Sequence, residues 1–347
     1  MTEFLVTGGL TTIVGSVFVL PFCFRRIEKQ LEAFLFVMGV LAVTITGLWS
    51  WELVRKALEE PIKITLAVLI AGMLFRFVRP KVGRWATVFG ERVGFGVLFF
   101  LIVVGLGLLS SVITAIIAAL VLAEITSVLR LPRTLEVRLV VIACFSIGLG
   151  AVLTPLGEPL STIAIGKLAG EPYHAGFFFL LKLLGKWVIP MVVALGLFAA
   201  FLPNKRETRD PGLEEDRPEQ TRDIVIRALK VYLFVLALVF LGTGFTPLVD
   251  KYLTRVSPYG LYWLNMVSAI LDNATLTAAE ITPAMSEQAI KAILAGLLIA
   301  GGMLIPGNIP NIICAGKLNI KSKEWAVLGV PLGLVLMTGF FIFLLLT

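Results

Sequence analysis

Gly157-Glu-Pro-Leu-Ser-Thr-Ile-Ala-Ile-Gly-Lys-Leu168 returns at an offset of 150 as Gly307-Asn-Ile-Pro-Asn-Ile-Ile-Cys-Ala-Gly-Lys-Leu318. The first glycine, Ile163 with Ile313, and the closing Gly-Lys-Leu coincide. Upstream, Ala123-Glu-Ile125 pairs with Ala279-Glu-Ile281 at an offset of 156. Two short matches in the same order, each inside the same kind of segment, read as an internal repeat. Both long copies sit where an apolar run is interrupted, at Thr154-Pro-Leu-Gly-Glu-Pro159 and at Pro306-Gly-Asn-Ile-Pro310. Proline removes a backbone donor and clashes with the preceding turn, so each run is expected to be a broken helix.

The surrounding composition is that of a membrane protein. Mean hydropathy is +0.96, 58% of residues are hydrophobic and only 15% are charged, against roughly 25% charged in soluble domains. Apolar stretches long enough to cross about 30 Å of hydrocarbon recur along the chain. The first, Phe4 to Phe24, has no basic segment before it and no small-residue cleavage site after it, so it reads as a span rather than a signal peptide. Expected spans cover about 4–24, 33–51, 61–78, 176–201, 224–242 and 325–346, with broken helices from 136 to Lys167 and from 289 to Lys317. Two further apolar stretches remain, at 93–128 and 259–285. The second, folded in two, gives arms of about 20 Å, too short for two crossings and the right size for a re-entrant hairpin. The first, at about 27 Å per arm, is read as a hairpin by analogy.

Basic residues set the orientation. With the N-terminus outside, 19 Lys and Arg fall in the inner loops and 9 on the outer side, as the positive-inside rule demands. The first broken helix then runs outward and the second inward. The expected fold is therefore an all-α polytopic membrane protein of two inverted repeats, each with a re-entrant hairpin and a broken helix. Residues 1–60 would be N-terminal scaffold spans, 61–203 the first repeat, 204–222 a cytoplasmic linker rich in charge and proline, and 223–347 the second repeat. A cell (plasma or inner) membrane location follows. The charge of +7 is explained by these loops, so no nucleic-acid partner is expected. One histidine and three dispersed cysteines (Cys23, Cys144, Cys314) exclude zinc, haem and disulfide frameworks, and no cofactor is expected.

Polar residues at the breaks carry the chemistry. Asp272-Asn273-Ala274-Thr275 lies mid-hairpin, Glu158 in the first break, and Asn308 and Asn311 in the second. A carboxylate at mid-membrane costs about 2.5–3.5 kcal/mol on insertion scales, so it holds a partner or a proton. Asp272 and Glu158 offer the oxygen ligands that hard cations use. Carbonyls at broken half-helix ends can complete a cation shell, and amides can hold an anion. Thr154, Ser161 and Thr114 add hydroxyls, while Glu124 and Glu280 near the hairpin ends are secondary candidates.

These residues resemble the ion transporter superfamily, which includes NhaD-type sodium/proton antiporters, arsenite permeases, divalent-anion/sodium symporters and a family described as cation transporters. Leu271-Asp-Asn-Ala-Thr275 is similar to the hairpin motif of that superfamily, and its Asp-Asn pair to the NhaD type. Thr154-Pro-Leu-Gly-Glu-Pro-Leu-Ser161 and Ile305-Pro-Gly-Asn-Ile-Pro-Asn311 resemble its paired loops. The likeness covers about residues 61–347. The first hairpin, Ser110-Ser-Val-Ile-Thr-Ala-Ile-Ile-Ala118, lacks the asparagine or aspartate of the family, and Ser161 stands where the other loop has Asn311. The resemblance implies a homodimer with a fixed scaffold and a moving transport unit, an elevator-type transporter in membrane lipid.

The function expected is secondary cation transport, as a sodium/proton antiporter, with Na+ or another cation competing with H+ at Asp272 and helped by Glu158, Asn273, Thr275, Asn308 and Asn311. The alternative is a sodium-coupled anion carrier, for a dicarboxylate or an oxyanion. An intramembrane hydrolase is the remote third reading. The chain has no HExxH and no GxSxG, so it is not expected to be an enzyme.

Overall fold

The computed structural model describes residues 3–24, 26–27, 30–62, 64–66, 68–70, 73, 92–202, 221–248, 256–270 and 273–346. Every regular element among them is helical. In chain order these are α1 (Glu3–Cys23), α2 (Leu31–Thr46), α3 (Phe95–Ile113), α4 (Ala115–Leu129), α5 (Arg133–Ala151), α6 (Pro159–Lys167), α7 (Phe179–Ala200), α8 (Thr221–Leu248), α9 (Pro258–Leu264), a 3-10 turn (Asn265–Ala269), α10 (Asn273–Glu280), α11 (Glu287–Met303), a 3-10 turn (Ile305–Gly307), α12 (Ile309–Leu318) and α13 (Ser322–Leu346). Residues 51–62 are also helical.

Among the described residues, α3, α5, α7, α8 and α13 are long and apolar enough to cross a membrane. Their burial sorts them. The apolar window of α5 is 83% buried, and that of α13 only 33%. Thus α5 is an inner helix, while α13 turns Val327, Val335, Leu345 and Leu346 outward, a surface suited to lipid rather than water. The expected span 33–51 ends early. Gly47 takes the left-handed conformation (φ 70) that caps α2, and the amides of Gly47 and Leu48 close on Thr44 and Val43, the usual glycine-ended helix stop. Half of the expected span 61–78 is described, residues 61–62, 64–66, 68–70 and 73, and all of these are helical; the linker falls almost wholly outside the described residues.

Packing contacts give the helix directions. Ser146 Oγ donates to Val103 O at 2.8 Å, and Ser110 Oγ to Ile147 O at 2.9 Å. A Cβ on Gly150 would meet Gly107 O, and Thr154 Oγ1 donates to Ser111 O. Both partners advance together, so α3 and α5 run parallel. The following helix, α4, starts beside the end of α5, where Ala115 N–H donates to Gly157 O at 2.9 Å, and finishes where α5 begins. Hence α3 and α4 form a hairpin whose two ends lie at one end of the bundle. Its turn is the single residue Thr114, at φ 76.

The second hairpin repeats this plan. Tyr262 O and Asn265 Cβ lie against Gly296, Asn273 lies against Gly301, and Ser268 Oγ donates to Leu297 O at 3.2 Å. The outgoing arm, α9 with its 3-10 turn, is therefore parallel to α11, and α10 comes back.

The two broken helices point in opposite directions. Arg133, first in α5, donates to the carbonyls of Leu318 and Asn319 at the end of α12, both at 2.8 Å. At the far end Tyr173, after α6, donates to Met285 O, before α11. The returning arms are exchanged: α4 packs on α12, and α10 packs on α6. A separate pair, α2 and α8, is joined closely at Gly39 and Gly244, whose Cβ atoms would touch Phe240 and Ala42.

Candidate functional site

Both breaks are built by the same backbone. Glu158 before α6 has φ −156 and ψ 160, and Asn308 before α12 has φ −151 and ψ 147. Gly157 N–H donates to Thr154 O at 3.3 Å, and Gly307 N–H to Leu304 O at 3.3 Å. Thr162 N–H reaches Glu158 O at 3.4 Å, as Ile312 N–H reaches Asn308 O at 3.3 Å. Only glycine fits at 157 and 307, because a Cβ there would stand 1.9 Å from Ala151 O and 2.5 Å from Gly301 O. Prolines in the first turn of α6 and of α12 cost no hydrogen bond, since those amides have no helical partner.

The breaks and hairpin tips meet around one cavity of about 500 Å³, including its open mouth. The first hairpin contributes Ala115 and Ile116, the first break Gly157–Leu160, the second hairpin Asn273 and Ala274, and the second break Pro306–Pro310. Leu238 of α8 closes the wall. Segments from four parts of the chain that the sequence singled out thus converge.

The polar content of this cavity is unequal. Glu158 is the carboxylate on its wall among the described residues and is 8% exposed. Asn273 is 6% exposed, and neither its amide nitrogen nor its oxygen has a hydrogen-bond partner. Leaving such atoms unsatisfied costs about 1–3 kcal/mol each, a cost that a bound ion or water would remove. Asn308 adds a partly exposed amide. Two glycines make room for these amides: a Cβ on Gly301 would lie 2.6 Å from Asn273 Nδ2, and one on Gly148 2.9 Å from Asn308 Nδ2. The first turns of α6 and α12 also face the cavity, and their free amides give it positive partial charge.

Other expected residues stand behind the wall as braces. Asn311 is buried and its Nδ2 donates to Gly301 O and Leu304 O, each at 2.9 Å. Ser161 Oγ points to Ala151 O at 3.5 Å. Thr154 ties the first break to the first hairpin through Ser111 O. Thr114 caps α4 by accepting from Ile117 N–H at 3.4 Å. Asp272 lies outside the described residues, as does the side chain of Thr275. Glu124 and Glu280 lie at the hairpin bases, away from the cavity, and both are buried. Lys317 Nζ is 2.9 Å from Glu124 Oε1, and Asn265 Nδ2 donates to Glu280 Oε2 at 2.9 Å. Sequence reading missed Asn265, Lys317 as a partner, and the two room-giving glycines. Only Lys317 left a trace, in the repeated Gly-Lys-Leu. Among the described residues no three His, Cys, Asp or Glu side chains group as a metal centre.

A helical bundle with five apolar helices of spanning length, with a mostly apolar cavity that holds the Glu158 carboxyl and the Asn273 and Asn308 amides between helix breaks, defines a polytopic membrane protein. The chain belongs to the family described as protein of unknown function (DUF1646), whose profile matches residues 7–347. No curated protein matches it.

Proposed function

We propose that this protein is a secondary active cation transporter, working as a sodium/proton antiporter. The observation that carries the reading is the cavity itself, which the Glu158 carboxyl and the unsatisfied Asn273 amide line together with two helix breaks of opposite direction. Broken helices meeting at a polar site are the usual construction of secondary transporters. In this reading residues 61–203 and 223–347 are inverted repeats, and the hairpins are re-entrant. Glu158, Asn273 and Asn308 bind the cation together with Asp272 and Thr275, and backbone carbonyls complete the shell. Cation and proton compete for the carboxylates, because a proton removes the charge that the cation needs. The tight pair of α2 and α8, which meets the second hairpin and α12 over a small area, serves as the scaffold. With the rest of residues 1–60 on the scaffold side, α3 to α7 and α9 to α13 move against it in an elevator-type homodimer.

The test is proton flux in proteoliposomes driven by a sodium gradient, with a panel of monovalent and divalent cations beside it. Asp272→Asn and Glu158→Gln should each abolish exchange; full flux in both sinks the assignment.

One observation favours a second reading. The first turns of α6 and α12 line the cavity, and the partial positive charge of a helix N-terminus suits an anion. Sodium-driven uptake of a labelled dicarboxylate or oxyanion, without proton exchange, would establish a symporter instead.

A further inference from the structure

Glu280 is buried to 2% exposure and Asn265 to 0%. Asn265 Nδ2 donates to Glu280 Oε2 at 2.9 Å. The other two atoms of the pair, Glu280 Oε1 and Asn265 Oδ1, are buried without a hydrogen-bond partner. Both are acceptors, so what this pocket lacks is a hydrogen.

The equivalent position in the other half shows what neutralises such a carboxyl. Glu124 carries the same Ala-Glu-Ile context and is paired with Lys317 of α12 at 2.9 Å. Lys167 is the repeat equivalent of Lys317 and sits on α6, against which α10 packs, yet it is exposed. The other charged groups near Glu280 are engaged or distant in the chain. On α11, Lys291 pairs with Glu287 at 2.8 Å. On α8, Arg222, Asp223, Arg227 and Lys230 all fall in the first ten residues, and Lys230 pairs with Glu32 at 3.6 Å. On α9, the Tyr262 hydroxyl donates to Met337 O and Tyr259 is exposed. Glu158 caps α6 at its opposite end from Lys167, and Asp272 precedes α10 at its opposite end from Glu280.

We propose that Glu280 and Asn265 form a proton-binding site, separate from the central cavity and occupied in this conformation. The proton comes from the aqueous phase and adds to Glu280 Oε1, converting carboxylate to carboxylic acid with no other bond changed. Its O–H then donates to Asn265 Oδ1 while Asn265 Nδ2 donates to Oε2, so one hydrogen satisfies both orphaned oxygens. Access is short, because residues 282–284 just beyond Glu280 are exposed. Asn273 and Glu280 stand seven residues apart on α10, about 10 Å along its axis. As a carrier for exchange the site rests on the antiporter reading; as a protonated carboxyl it does not.

Infrared spectroscopy of the full-length protein in lipid, titrated between about pH 6 and pH 10, tests it. The expected result is a protonated-carboxyl C=O band at neutral pH that vanishes on alkalinisation, is missing in Glu280→Gln and is shifted in Glu280→Asp. Asn265→Ala removes both partners of the acid, the Nδ2 donor and the Oδ1 acceptor, and should move the band to the higher frequency of a carboxyl without hydrogen bonds. A wild-type protein with no such band at neutral pH, or a band unchanged in both Glu280 variants, overturns the proposal. Sodium-dependent proton flux of the wild type is measured separately. Its absence would remove the antiporter reading and leave the carboxyl band to decide this site.

Discussion

Ser161 and Asn311 hold the same structural post in the two halves. Each reaches back across its break to the carbonyl ten residues upstream, Ser161 to Ala151 at 3.5 Å and Asn311 to Gly301 at 2.9 Å. Asn311 also takes Leu304 O at 2.9 Å. At this post the second break receives two short bonds and the first one long one, while Thr162 Oγ1 adds a separate bond to Pro155 O at 2.6 Å in the first.

Unequal bracing predicts unequal stability loss. Asn311→Ala should cost about 2 kcal/mol, from two hydrogen bonds of roughly 1 kcal/mol each, and Ser161→Ala about 0.5 kcal/mol or less. Thermal unfolding in detergent, followed by tryptophan fluorescence, should rank the melting midpoints wild type, Ser161→Ala, Asn311→Ala. Equal midpoints for the two variants would contradict the geometry.

The room beside Asn273 is a second handle. Gly301→Ala puts a methyl 2.6 Å from Asn273 Nδ2 and 3.0 Å from Gly307 O, so the amide or the break must move. Cation-dependent flux should fall by about tenfold or more, the effect of roughly 1.4 kcal/mol. Gly8→Ala, which meets nothing within 4 Å, is the control and should leave flux unchanged.

Glu124 and Lys317 form a buried ion pair, with side chains 7% and 9% exposed. Removing one partner strands the other charge and should cost about 3–5 kcal/mol. Glu124→Gln and Lys317→Met should each lower the yield of folded, monodisperse protein. The double variant should recover most of it, since two neutral side chains leave no stranded charge. A double variant worse than both singles would show that the pair has another role.

Arg133 cannot be replaced by its nearest chemical relative. Its guanidinium bonds Glu136, the Leu318 and Asn319 carbonyls, and both oxygens of Glu324 at 2.8–3.0 Å. A lysine ammonium has three donors without the planar fork and loses the paired contact. Arg133→Lys should cost about 1–2 kcal/mol of stability and lower the melting midpoint measurably, and Arg133→Gln should lower it further.

What the sequence disclosed was steric and local. Proline and glycine at the breaks forbid a continuous helix whatever surrounds them, so the interruptions near 154–159 and 306–310 were readable. The short arms of the second hairpin followed from counting residues. The roles of side chains were less legible, because an asparagine at a break looks the same whether it lines a cavity, as Asn308 does, or clamps a carbonyl, as Asn311 does. Nothing local told Glu124 from Glu280. One meets a lysine from the far half of the chain and the other meets an amide, and only the fold decides that. The Gly148 and Gly301 clearances are likewise properties of packing between distant helices.

The exchanged packing of α4 on α12 and of α10 on α6 bears on biosynthesis. A ribosome delivers α4, with Glu124, long before it delivers Lys317. The early half thus enters the bilayer with an acid awaiting its counterion, and completes its core only when the last third of the chain arrives. Neither half is a self-sufficient folding unit. Truncation after the linker should therefore give quality-control proteases a substrate rather than release a stable half-protein.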